Sequence, residues 1–558
     1  MSTIGKRSAL AAFVATVVAS GGFASTAAAD NDRGNDQGDG LGEIKTLVVI
    51  YAENRSFDNL FGMYPGANGL SKASAASATQ LDRDGTVLSG LPPVWGGTNS
   101  GVTAGAPLAP QNLTQGQTAT YLGTFNHPFS LLSLYDSAFP VDTNPLQYTN
   151  RDLWHKFYQN QMQINGGLNN KFAAWADSGG LVMMYIPNNN DDHPLWALAK
   201  KNVLADNFFQ SAFGGSYLNH QFLICSCAPI YPGDGSKPVN PAPLGLAPSP
   251  AILDADGVSL TPTSSASALT AAPSFKGDTT LTPAINGTFY SINTMQPPFP
   301  PSGNAVANTP PQQSVNLAST GTLPPQTQTT IGDLLTAAGV DWAYYSGGWN
   351  FALSSAPFAA GTSNANPNFQ YHHQPFNYFH VFDPSTPQGA ANRAAHLKDA
   401  GVSTPTNVAA GTLPDSQFLT DILTGNLPPV TFYKPHGTVN EHSGYANVTD
   451  GDRHIAAVVD ALQQSPQYRH MVIVITVVMV MAVIIVVAVA IVVAVIVVTV
   501  EIERLGQVSH PWIPVLHQRS VARLDPVKDR QMPPACDQAQ DRSRVVLSVI
   551  HEPVLRER

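Results

Sequence analysis

Leu47-Val48-Val49-Ile50-Tyr51 is an unbroken apolar and β-branched run, and Ala52-Glu53-Asn54-Arg55-Ser56-Phe57 follows it directly. A short run without polar alternation suits a strand buried on both faces of a parallel sheet. A polar turn at its carboxyl end lies where open α/β sheets bind their ligands. Glu53 and Asn54 offer a carboxylate and an amide oxygen there, a pair able to ligate a divalent cation. The competing reading of Glu53 is an ordinary cap for the next helix.

Outward from this strand the pattern alternates. Asp152–Trp175 has helical character, Leu195–Lys201 reads as a short helix, and Val203–Ser211 reads as a strand entering the turn Gly214-Gly215-Ser216. A helix continues over Tyr217 to Cys227. Ile331–Ala338 and Trp342–Tyr345 read as helix then strand, Val430–Tyr433 as a strand, Asp452–Gln463 as a helix and Met471–Thr476 as a strand. Strands alternating with helices indicate an α/β fold with a mostly parallel sheet. Pro229 to Pro325 is too long for a simple connection and reads as an insertion or cap.

Ser216 follows two glycines, which let the backbone turn tightly. A serine opening a helix can hold a phosphate against free N–H groups or act as an activated nucleophile; a plain N-cap fits equally well. Three loops carry histidines: Asn126-His127-Pro128, Tyr371-His372-His373-Gln374-Pro375-Phe376 and Asn440-Glu441-His442-Ser443-Gly444. Imidazoles can hold phosphoryl oxygens or donate a proton to a leaving group. A lone loop histidine is more often a solvated surface residue.

Composition narrows the field. Charged residues make up 12% of the 558 positions, about half the usual ~25%. A net charge of −10 argues against a general nucleic-acid binder. Three cysteines exclude a disulfide framework, and Cys225 and Cys227 read as buried thiols. Lys6 and Arg7, the apolar stretch Ser8 to Ala24 and Ala27-Ala28-Ala29 before Asp30 have the form of a cleaved signal peptide over residues 1–29. Residues 30–43 are polar and Gly-rich and read as a flexible leader. The expected location is outside the cytoplasm, periplasmic or secreted.

The run Tyr51-Ala52-Glu53-Asn54-Arg55-Ser56-Phe57-Asp58-Asn59-Leu60-Phe61-Gly62 strongly resembles the bacterial phosphoesterase family, which contains secreted acid phosphatases and phospholipases C and belongs to the alkaline phosphatase superfamily. Ala205-Asp206-Asn207-Phe208-Phe209, Gly214 to His220, His372 to Phe376 and Asn440 to Ala446 agree with it, and Tyr433-Lys434-Pro435 looks more like the acid phosphatase branch. The resemblance spans about residues 44–475. It implies a three-layer αβα sandwich with long loop insertions, and hydrolysis of phosphate monoesters through a phosphoserine. It also implies a divalent metal ion on Glu53 and Asn54, Ser216 as nucleophile, and a phosphate site lined by His127, His373 and His442, with His372 the less favoured of its pair. The substrate would be a small phosphate ester or, on the runner-up reading, a phospholipid head group, for which Tyr345, Trp349, Phe376 and Tyr378 are the aromatic cage candidates.

The family pattern breaks at residue 477. After such a strand the family carries an aromatic and then an acidic pair, the second half of its metal site. Here Val477, Val478 and Met479 stand in that register. Met471 to Val500 is thirty residues without charge or glycine, fifteen of them Val. Valine and methionine cannot replace carboxylates on a hard cation. Three readings fit the run: a membrane-associated transmembrane helix, a change of reading frame in the gene, and a diverged inactive relative. Residues 501–558 carry 9 basic and 8 acidic residues and no motif, and read as a poorly ordered tail.

Overall fold

A computed structural model describes residues 44–478, apart from 101, 103–111, 137–144, 188–192, 232–249, 305–314, 318, 320 and 355–368. The expected signal peptide, leader and tail, and residues 479–500 of the valine-rich run, lie outside the described residues.

The centre is a five-stranded parallel sheet. Its strands are β1 (Thr46–Glu53), β2 (Trp342–Ser346), β3 (Leu397–Asp399), β4 (Val430–Lys434) and β5 (Met471–Val478), in the order β3-β2-β4-β1-β5. All eight residues of β1 are buried, as its unbroken apolar run demands. β1 pairs with β4 from Leu47↔Val430 to Ile50↔Tyr433 and with β5 from Thr46↔Met471 to Glu53↔Val478.

Alternation along the strands sends side chains into two layers. Val48, Ile50, Ala52, Ala343, Tyr345 and Tyr433 point to one face. There they meet α2 (Pro194–Lys201), α5 (Gln417–Thr424) and α6 (Val448–Gln463) through Leu195, Phe418, Ile422, Ile455, Val458 and Leu462. Tyr51, Glu53, Tyr344, Phe432 and Lys434 occupy the alternate positions. On that side Tyr51 meets His220 of α3 (Ser216–Cys225) and Tyr344 meets Phe376, with ring centres 4.8 and 5.9 Å apart. The amino end of α4 (Ile331–Ala337) lies so close to Trp342 that a Cβ on Gly332 would come within 2.2 Å of the indole, which is why a glycine stands there. The expected α/β sandwich is the observed architecture.

Three expectations change. Val203–Ser211 forms turns and coil, not a strand: Val203 is 90% exposed, and Asp206 accepts from the Asn68 N–H at 2.8 Å. Asp152–Trp175 holds two helices, Phe157–Ile164 and Phe172–Trp175, parted where Asn165 takes a left-handed φ of 44°. Cys225 and Cys227 are joined in a disulfide; Ser226 between them is in the left-handed conformation that ends α3 and folds the chain back. The long stretch after Cys227 is an insertion as expected, with a short antiparallel pair, Ile230–Tyr231 against Phe289–Tyr290, in its described part.

The valine-rich run begins as a strand. Met471–Val478 is β5, so no helix starts at 471, and among the described residues no helix is long and apolar enough to cross a membrane.

Candidate active site

β1 ends at Glu53, and Asn54 then adopts a left-handed φ of 65° that breaks the strand. Asparagine tolerates this conformation better than most residues. Ser56 accepts the Asn59 N–H at 2.9 Å and caps α1 (Phe57–Phe61). Glu53 is left at the carboxyl edge of the sheet, at the point where β4 and β5 flank β1.

Glu53 is fully buried, and its two oxygens differ. Oε2 has Lys434 Nζ at 2.7 Å, His373 Nε2 at 2.7 Å and a hydrogen bond from Asn440 Nδ2 at 2.8 Å. Oε1 has no hydrogen-bond partner, and His372 Nε2 lies 3.5 Å away. The ligand atoms of Glu53, His220 and His372 fall within 4.8 Å of one another. Burial opposes ionisation of Glu53, but His373 and Lys434 beside it hold the carboxyl well below the usual range. Burial drives the His220 imidazole well below its ordinary value, and His373 to about 3, so both present neutral rings at neutral pH. Lys434 is lowered by burial against the pull of Glu53.

A second group adjoins the first through the Glu53–Asn54 peptide. Asp152, His155 and His442 also bring ligand atoms within 4.8 Å of one another. Asn54 Nδ2 donates to Asp152 Oδ1 at 3.3 Å and lies 3.4 Å from His442 Nδ1, while Asn54 Oδ1 is buried without a partner. Burial pulls His442 down to about 4.

Ser216 is the first residue of α3 and is buried. A Cβ on Gly215 would sit 2.5 Å from the His155 carbonyl, so only glycine lets the helix start this close to the second group. One turn along α3, on the same side, His220 Nδ1 bonds the Ser216 carbonyl at 2.7 Å and its ring joins the first group. Ser216 therefore starts the helix at a point tied to both groups.

The structure brings Glu53, Asn54, His372, His373 and His442 together, with Ser216 on the adjoining helix. It does not bring His127 to them. That imidazole is exposed, stacks on Phe125 at 5.0 Å and has Nδ1 2.8 Å from the Pro128 carbonyl. His155 occupies the second group instead. Its spacing from Asp152, three residues on, was the available signal. His220 and Lys434 were also missed: one sits in an apolar helix and the other ends an apolar strand, where core packing is the ordinary reading. The four aromatics considered for a choline cage are all buried. Tyr345 donates to Asp421 at 2.6 Å, Tyr378 to the Met295 carbonyl at 2.8 Å, and the cation over Trp349 is Arg393.

Two observations test the fit of a metal ion. Glu53 Oε1, Asn54 Oδ1 and His220 Nε2 are buried polar atoms without hydrogen-bond partners, as open ligand positions would be. On the β5 side the backbone partner of Glu53 is Val478, so no carboxylate arrives from that strand within the described residues.

A comparison with curated proteins returned no match. The model of the Phosphoesterase family matches residues 44–477 and stops at the same strand end as the ligand pattern. The chain belongs to the Phosphoesterase family, hydrolases acting on phosphoric ester bonds.

Proposed function

We propose that the chain is an exported, metal-dependent phosphomonoesterase of the acid-phosphatase kind that works through Ser216. The observation that carries this is the placement of Ser216: it opens a helix whose amino end abuts His155 of one cluster and whose next turn supplies His220 to the other. Glu53 Oε1, His220 and His372, with Asn54 Oδ1, would hold the ion. One carboxylate oxygen with imidazoles suits a borderline transition ion better than calcium or magnesium. When bound, such an ion supplies Lewis acidity at the phosphoryl group.

The chain's own residues do the rest. The free N–H groups at the start of α3 face an anion favourably. Ser216 Oγ attacks phosphorus, the ester oxygen leaves, and the phosphoserine is hydrolysed by water. Lys434 adds a fixed positive charge beside Glu53, and neutral His373 and His442 complete the rim of the site. Export rests on the signal-like residues 1–29. The buried packing of Tyr345, Trp349, Phe376 and Tyr378 leaves no observation in favour of a choline phosphodiester.

The test is expression of the chain from Asp30 and an assay of p-nitrophenyl phosphate, with and without added divalent cations, beside Ser216→Ala. Cation-stimulated release that Ser216→Ala lacks is expected. Equal rates for the two proteins would refute the reading.

A further inference from the structure

Arg55 is a buried residue that this chemistry leaves unused. It sits one residue past Asn54, only 2% exposed. Its Nε donates to the Glu441 carbonyl at 2.9 Å, Nη1 reaches Asn59 Oδ1 at 3.5 Å, and Nη2 has no hydrogen-bond partner.

Glu441 is equally unusual. It lies between Asn440, which holds Glu53, and His442, which meets Asn54. It is fully buried with a left-handed φ of 74°. A non-glycine residue in that conformation is strained and persists only where the surroundings enforce it. Here they do so from two sides. Arg55 grips the carbonyl, and the Glu441 side chain lies so flat on α6 that a Cβ on Gly451 would come within 2.3 Å of its Cγ. Asp452, next on the helix, is fixed by His193 Nδ1 at 3.0 Å. Burial lowers the Arg55 guanidinium to about 10, and Glu441, Asp152 and Asp452 each favour its charged form.

We propose that Arg55 is a positioning residue, a clamp from the turn after β1 to the strained Glu441 peptide that sets the spacing between Glu53–Asn54 and Asn440–His442. The proposal rests on the functional reading above for its catalytic consequence, but not for its geometry. The turn and the loop come from chain segments nearly four hundred residues apart; the Glu53 N–H bonds the Asn440 carbonyl at 2.9 Å, and Arg55 adds the bond to the next carbonyl, that of the strained Glu441. A misplacement of about 1 Å in such a site costs on the order of 10²-fold in rate.

The experiment compares the mature chain with Arg55→Lys and Arg55→Met. In hydrogen–deuterium exchange, peptides covering 53–60 and 437–447 should exchange faster in both variants, with β1 and α6 unchanged. In the phosphatase assay, kcat should fall about 10²-fold with KM held within about threefold, and lysine should not rescue it, because it lacks the planar Nε donor. Three results would each overturn the clamp: unchanged exchange at 437–447, faster exchange throughout the core, or full rescue by lysine. A wild type no faster than Ser216→Ala would refute the phosphatase reading instead, and the exchange pattern would still decide the clamp.

Discussion

The two flanks of β1 end very differently. On one side β4 closes with Lys434, and the chain then delivers His436, Asn440, Glu441 and His442 within eight residues. On the other side β5 runs alongside β1 as far as Glu53↔Val478 and delivers only valines. The same strand end therefore meets a dense polar wall at β4 and no carboxylate from β5 within the described residues. Backbone pairing is indifferent to this: β5 keeps its register with β1 from Thr46↔Met471 to Glu53↔Val478. A parallel sheet asks only for buried, β-branched side chains, so pairing on the β5 side does not depend on carboxylates at its end.

Breaking the polar flank should have the largest effect. Lys434→Met strands the Glu53 carboxylate in a fully buried position. Removing one partner of a buried pair costs about 3–5 kcal/mol, measurable by urea denaturation. Restoring the other flank comes next. Val478→Asp with Met479→Glu should raise divalent-ion-stimulated kcat/KM by about 10²-fold, worth about 2.7 kcal/mol in the barrier. No gain would show that the deficit does not lie in those two side chains.

The third measurement tests the polar flank beneath the site. Tyr433 lies 2.5 Å from His454 Nε2, and burial, with the charge of His436, lowers His454 to about 3. Its unfolded value is about 6.5, so between those limits the unfolded chain binds more protons. Stability should therefore fall as pH drops from 6.5 towards 3, by up to about 1.4 kcal/mol per pH unit from this group. His454→Gln should flatten the slope by that amount in thermal melts between pH 7 and 5. The smallest effect belongs to His127→Ala. The ring is exposed and outside both clusters, so stability should move by less than about 0.5 kcal/mol and kcat should not change.

The central strands β1, β2 and β4 were legible because strands buried on both faces read as apolar runs, and the edge strand β5 was found from its unbroken β-branched composition. β3 was not, since Leu-Lys-Asp carries no pattern in three residues. The false strand at 203–211 has strand-like composition, but its polar side chains hold turns and the edge of β5: Gln210 donates to the Val477 carbonyl at 2.9 Å. In the site, motif-bearing loops were readable, whereas residues set by three-dimensional convergence were not. His220 reads as helix core, and Asp152 and His155 were read into a helix that begins only at Phe157. His127 fails for the opposite reason: an Asn-His-Pro turn announces a loop without saying where the loop goes.

β5 is also the outermost strand on its side among the described residues, and Met471, Ile473, Ile475 and Val477 are only half covered. Edge strands recruit one another unless charges interrupt them. The next charge in the sequence after His470 is Glu501. An acidic pair at the end of β5 would have served as a gatekeeper against edge-to-edge association as well as a ligand pair. Its absence ties colloidal behaviour to chemistry: the two carboxylates that should raise activity should also keep the purified chain from sticking to itself.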